Sequence, residues 1–128
     1  MRSKSYNIPI TPIHWQKMAR NANRSYDPIT KDKVSFGLYL SQQHGDEPFF
    51  LNPIHMDVTF YMPIPKPIKE RTNSIYHATA PYLDSLCKFF LDAIRDIVIV
   101  DDRVICSLSV KKVYDKEPRT ELVITEVI

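Results

Sequence analysis

The sequence predicts an α+β fold in which a small, mostly antiparallel (mixed) sheet packs on one principal helix. Three patterns carry that expectation. Residues 54–62 place Ile54, Met56, Val58, Phe60 and Met62 on one parity, with His55, Asp57 and Thr59 between them. This period of two marks a strand with one buried face. Residues 104–113 alternate in the same way, with Val104, Cys106, Leu108 and Val110 out of phase with Ser107, Ser109 and Lys111. Residues 82–96 instead repeat Leu83, Leu86, Cys87, Phe90 and Ile94 at three- and four-residue steps, the spacing of an amphipathic helix.

The remaining segments follow from weaker signals. Residues 6–10 suit an edge strand, since Pro9 and Pro12 discourage a central one. Residues 14–23 read as a short basic turn or helix, and residues 26–33 as a loop. Residues 34–40 alternate and are expected to form a strand. Gly45, Pro48 and Pro53 make residues 42–53 a connector, and the Pro- and Lys-rich residues 63–80 form an exposed loop. The β-branched residues 97–100 are expected to enter a strand, with a turn at Asp101 and Asp102. A second turn at residues 115–118 leads into a final strand over residues 120–128.

A length of 128 residues suits one domain, spanning 1–128. The formal net charge of +2 does not announce a nucleic-acid binder, so any electrostatic case rests on local clusters. Two such groups are Lys66, Lys69 and Arg71, and the N-terminal set of Arg2, Lys4, Lys17, Arg20 and Arg24. With two glycines, Gly37 and Gly45, the chain lacks the phosphate-cradling loops of nucleotide-cofactor enzymes. Cys87 and Cys106 have no metal-ligand spacing and read as buried thiols in a reducing compartment. The N-terminus shows no signal-peptide pattern and no apolar run spans a membrane, which points to the cytoplasm. Trp15 reads as a core residue or a stacking platform for bases.

The residues that carry chemistry gather in the helix and its exit. Asp84 and Lys88 lie one helical turn apart, and Asp92 continues the line. The chain then returns to carboxylates at Asp101 and Asp102. Reconverging carboxylates can hold a divalent cation, and a lysine beside them can assist attack on a phosphodiester. Each residue also has a plainer reading. Asp84 suits a helix N-cap, Lys88 an ion pair at four-residue spacing, and Asp101 with Asp102 a turn. Tyr82 suits packing. His55 and His77 are isolated histidines, each a substitute ligand or a surface residue.

This segment resembles the RusA family of Holliday junction resolvases. The family pattern is close to Pro-Asp-x-Asp-Asn-Leu-x-Lys-x-x-x-Asp-Ala-Leu followed by Val-Asp-Asp-x-x-Ile. The chain reads Pro81-Tyr82-Leu83-Asp84-Ser85-Leu86-Cys87-Lys88, Asp92-Ala93-Ile94, Val100-Asp101-Asp102 and Ile105. Lys111-Lys112-Val113-Tyr114 and Glu117-Pro118-Arg119-Thr120-Glu121 resemble the family's closing hairpin. The likeness is best over 54–128 and loose over the first fifty residues. It implies a homodimeric, Mg²⁺-dependent endodeoxyribonuclease (Mn²⁺ as an alternative) that resolves branched DNA such as four-way junctions in recombination and repair.

It also implies Asp84 and Asp102, helped by the adjacent Asp101, as metal ligands, Asp84, Lys88 and Asp102 as the catalytic set with Lys88 as its cation, and Lys66, Lys69 and Arg71 as DNA contacts. The chain departs from the pattern at Tyr82, where the family has aspartate, at Ser85, where it has asparagine, and at Val104, a glutamine-like position. A neutral phenol is a poor magnesium ligand, so the sequence retains part of the family's site. The alternative reading is a catalytically impaired relative that holds branched DNA or a protein partner without cutting.

Overall fold

The computed structural model describes residues 2–14, 19–21, 24–26, 30–65 and 75–127. In chain order the elements are β1 (Ser3–Ile8), β2 (Ala19–Asn21), β3 (Arg24–Tyr26), α1 (Thr30–His44), β4 (Ile54–Pro63), α2 (Leu83–Ile94), a 3₁₀ turn (Asp102–Val104), β5 (Ile105–Asp115) and β6 (Arg119–Glu126). The main sheet has the order β1-β6-β4-β5, and β2 and β3 form a separate two-stranded ribbon. Pairings β1–β6 and β6–β4 are antiparallel, whereas β4–β5 is parallel. The sheet is therefore mixed, and the fold is α+β as expected. The parallel step is made possible by the crossover through α2, because parallel neighbours need a long connection.

Strand β4 lies at the centre and shows why its alternation is so clear. Ile54, Met56, Val58, Phe60 and Met62 are all buried under the helices. Tyr6 and Ile8 of β1 and Leu122 and Ile124 of β6 join them in one core. Helix α2 lays Leu86, Phe89, Phe90, Ala93 and Ile94 on this floor. Phe90 meets Phe60 edge to face at 6.1 Å, and Phe36 of α1 meets Phe89 at 5.6 Å and Phe90 at 5.9 Å, also edge to face. Such contacts place a ring's positive edge on a neighbour's negative face.

Residues 34–40 form part of α1, not the expected strand. Phe36 and Leu40 are buried, while Val34 and Leu38, on the same parity, are 59 % and 60 % exposed. The apolar steps of two contain a helical step of four, and burial follows the latter through Phe36, Leu40 and His44. The expected loop at residues 26–33 gives way at Thr30, where α1 begins. Gly37 admits the turn after α2, since a Cβ there would sit 3.1 Å from Ile97 Cδ1. Gly45, at φ 61°, closes α1 in the left-handed conformation that glycine adopts without a Cβ penalty.

Two further expectations are corrected. Residues 97–100 do not enter a strand. Val98 and Ile99 are buried in a turn, and Ile99 makes only isolated bridges to Phe50 and Arg95. Burial, not pairing, explains their apolar character. Residues 14–23, expected as a basic turn or helix, instead contribute β2 to the ribbon. Trp15 and Lys17 lie outside the described residues.

Cys106 is exposed and Cys87 partly buried, against the expectation of two buried thiols. The register between β4 and β5 shifts between Ile54 and His55, where Ile54 faces Ile105 and His55 faces Ser107. Cys106 is the extra residue of that bulge, on an edge strand.

Phe36→Ala should destabilise the protein by about 3–5 kcal/mol, while Val34→Ala and Leu38→Ala stay within about 0.5 kcal/mol. Urea denaturation of the three variants reads this out. Comparable losses at all three positions would contradict a helical α1.

Candidate active site

One face of α2 is spent on the core, and the other lines an open groove. The same 3.6-residue period that buries Leu86, Phe89 and Phe90 brings Asp84, Cys87, Lys88, Leu91, Asp92 and Arg95 onto the opposite side. Asp102 closes the groove from the 3₁₀ turn after the helix. The groove has a volume of about 410 Å³. Asp84, Lys88 and Asp102 thus line one depression, although the third lies fourteen positions beyond the second in sequence.

The start of α2 is set by its neighbours. Tyr82 occupies the N-cap position with an extended backbone (φ −69°, ψ 145°) and makes no side-chain cap. Asp84 is therefore not the N-cap. It sits in the first turn, where its Oδ1 accepts the Ser85 N–H at 2.9 Å and its charge faces the positive end of the helix dipole.

Lys112 ties the preceding segment to the sheet, donating from Nζ to the Thr79 and Pro81 carbonyls, both at 2.6 Å. Burial holds this ammonium below the ordinary lysine range. Residues 75–77 run beside β5, with His77 N–H donating to Lys112 O at 3.1 Å and Tyr114 N–H to Ile75 O at 2.7 Å. These bonds fix the entry to the helix and hence the position of Asp84.

The exit is fixed as firmly. Arg95 caps α2 in an extended conformation, and Asp96 takes φ 65°, turning the chain away. Asp101 caps the 3₁₀ turn, with its Oδ1 accepting the Arg103 N–H at 3.0 Å and its Oδ2 lying 3.5 Å from Arg103 Nε. It is not among the residues that line the groove. Asp102 Oδ2 accepts from Arg95 Nη2 at 3.0 Å, and the same nitrogen reaches Asp92 Oδ1 at 3.2 Å. Asp102 Oδ1 is buried without a hydrogen-bond partner. Arg95 is the charged groove residue that the sequence reading missed. Its signal was the three-residue spacing from Asp92, which puts the two on one helix face.

The donor set bears on whether a divalent cation would fit. Among the described residues no three His, Cys, Asp or Glu side chains form a cluster that could hold a metal. Magnesium, however, keeps several waters and is commonly held by one or two carboxylates together with substrate phosphates. Asp84 and Asp102 supply two, and the orphaned Oδ1 of Asp102 is a buried oxygen in want of a positive partner. In their chemistry the two carboxylates suit a water-rich cation of that kind, and they form no preformed cage among the described residues.

The other candidates sit elsewhere. His77 is buried, with Nε2 3.3 Å from the Thr79 hydroxyl, and packs on Tyr114. His55 shares a hydrogen bond with Ser107 at 2.7 Å. Neither lines the groove. Tyr82, 75 % exposed, lines a separate depression of about 420 Å³ with His14, Ala80, Pro81 and Ser85. Arg2 and Lys4 are engaged with Glu47, and Arg2 also covers the Phe50 ring at 3.8 Å. Lys66, Lys69 and Arg71 lie outside the described residues. No helix among the described residues is long and apolar enough to cross a membrane.

The architecture is thus a mixed sheet crossed by a helix whose outer face presents carboxylates and a lysine. Residues 8–125 match the model of the family described as endodeoxyribonuclease RusA, and the chain belongs to that family. The match begins well upstream of residue 54. An uncharacterised protein of Bacillus subtilis (strain 168), YqaN, is 33 % identical over 96 residues, which cover 69 % of this chain and 68 % of that protein.

Burial holds both His44 and His77 below the ordinary imidazole range, and the charges of Arg2 and Lys112, respectively, push the same way. The unfolded chain takes up these protons at about pH 6.5, whereas the folded chain does so only at lower pH. Stability is therefore fully present above pH 6.5 and is lost as pH falls toward the folded values. The melting temperature should drop between about pH 7 and pH 5, and His44→Gln/His77→Gln should flatten that slope. An unchanged slope in the double variant would assign the effect to other groups.

Proposed function

We propose that the protein is a structure-specific endodeoxyribonuclease that resolves Holliday junctions or other branched DNA by Mg²⁺- or Mn²⁺-dependent phosphodiester hydrolysis. The observation that carries this reading is the convergence of Asp84, Lys88 and Asp102 on one groove in a chain of the RusA family. Asp84, from the first turn of α2, and Asp102, from the 3₁₀ turn, would hold the cation. Asp101 lies beside them and shapes the turn that presents Asp102. Bound Mg²⁺ or Mn²⁺ supplies Lewis-acid polarisation of the phosphate and a more acidic water. Lys88 places positive charge beside the phosphate as negative charge builds on its oxygens. The whole chain acts as one domain, and a homodimer sets two grooves on opposing strands of the junction. Lys66, Lys69 and Arg71, which precede α2 in the sequence, neutralise backbone phosphates and give binding a steep salt dependence.

A second reading has its own support. Tyr82 stands where the family pattern has an aspartate, and the described residues offer two groove carboxylates, Asp84 and Asp102, without a third-ligand cluster. On that reading the protein holds junctions without cutting them.

The test is cleavage of a synthetic four-way junction with Mg²⁺ or Mn²⁺ and an EDTA control. Paired metal-dependent nicks are expected, with Asp102→Asn lowering the rate by at least ~10²-fold while junction binding persists. Cleavage by Asp102→Asn at the native rate would overturn the assignment. Binding without nicks, with activity appearing in Tyr82→Asp, would establish the second reading.

A further inference from the structure

We infer that Arg95 is a resident counter-ion that competes with the divalent cation for Asp102, so that it sets the metal affinity of the groove. The inference rests on the reading of Asp84 and Asp102 as the cation-holding pair. One guanidinium nitrogen, Nη2, lies 3.0 Å from Asp102 Oδ2 and 3.2 Å from Asp92 Oδ1. It therefore bridges carboxylates from the last turn of α2 and from the 3₁₀ turn. Position favours this role, because Arg95 caps the C-terminal end of α2, where the helix dipole is negative and no other basic residue stands in the last turn.

The two partners differ in freedom. Asp102 sits in a turn pinned by the Asp101 cap, with the Arg103 N–H bond and the Val104 N–H to Asp101 O bond at 3.3 Å. The Arg95 side chain is 43 % exposed on a long flexible stem. The turn fixes the backbone that carries the Asp102 carboxylate, whose side chain is itself 41 % exposed, and the long guanidinium stem can leave. Arg95 satisfies one oxygen of Asp102 and leaves Oδ1 buried and unpartnered. A monovalent guanidinium thus stabilises the acidic groove incompletely, and a dication attracts both oxygens more strongly at the same distance. Loading then requires Arg95 to give up Asp102, while Asp92 remains as its anchor. The competition lowers apparent affinity by the fraction of molecules in which Asp102 is engaged.

Mn²⁺ binding to the full chain, followed by calorimetry and by the electron paramagnetic resonance of free Mn²⁺, tests this without recourse to cleavage. Arg95→Gln should bind Mn²⁺ roughly three- to tenfold more tightly than the native chain, because a half-exposed ion pair and a repulsive charge are both removed. Asp102→Asn should abolish binding in either background. Equal or weaker binding by Arg95→Gln, with native circular dichroism, would overturn the role of Arg95 and leave the two carboxylates standing as a metal site. Absence of Mn²⁺ binding in both the native chain and Arg95→Gln would overturn the metal reading of the groove and the competition with it.

Discussion

The edge-to-face contacts of Phe36, Phe60, Phe89 and Phe90 fix how α2 lies on the sheet, and the groove depends on that orientation. A helix has one rotation about its axis that satisfies a given buried stripe. Once Phe90 meets Phe60 of β4 and Phe89 meets Phe36 of α1, the residues at 84, 88, 92 and 95 must face out. The chemistry of the outer face is therefore positioned by apolar packing on the inner one. Loss of that packing would rotate Asp84 and Lys88 away from Asp102 even though none of the three contributes to the core.

Packing alone leaves the helix free to slide along its axis. The two ends remove that freedom by different means. At the N-terminal end, Lys112 grips the carbonyls of Thr79 and Pro81, so β5 holds the approach to α2. At the C-terminal end, Asp96 in the left-handed conformation and the cap formed by Asp101 turn the chain back within a few residues. Asp102 then faces the helix it has just left. Entry and exit are thus referred to the same sheet, because β5 both grips the approach and follows the turn.

Charge distribution within the groove is less acidic than the carboxylates alone suggest. Arg95 offsets Asp92 and Asp102, and Lys88 stands among them. Such mixing keeps a folded apo protein from bearing uncompensated like charges in one depression. It also makes the groove's affinity for a cation a matter of exchange between partners, not of filling a vacant cage.

By itself the sequence determined the central strand β4, the helix α2, the existence of the last two strands and the groove residues Asp84, Lys88 and Asp102, but the expected closing hairpin does not form, because β4 lies between β5 and β6. β4 and α2 are legible because one face of each is buried, so burial and periodicity coincide, whereas the edge strand β5 alternates in sequence with only Val113 buried. Where one apolar pattern serves two periods, as in α1, the sequence was ambiguous, and contact of Phe36 with α2 decided it. Where burial occurs without pairing, as at Val98 and Ile99, β-branched composition misled. Cys106 was exposed by a bulge that only the neighbouring strand's register creates. The Arg95–Asp102 pairing was invisible for a similar reason, since Asp102 is seven residues away across a turn whose geometry is set by the Asp101 cap and by α2 ending where it does. Local periodicity is written into the chain residue by residue, whereas the meeting of side chains from different elements exists only once those elements have packed.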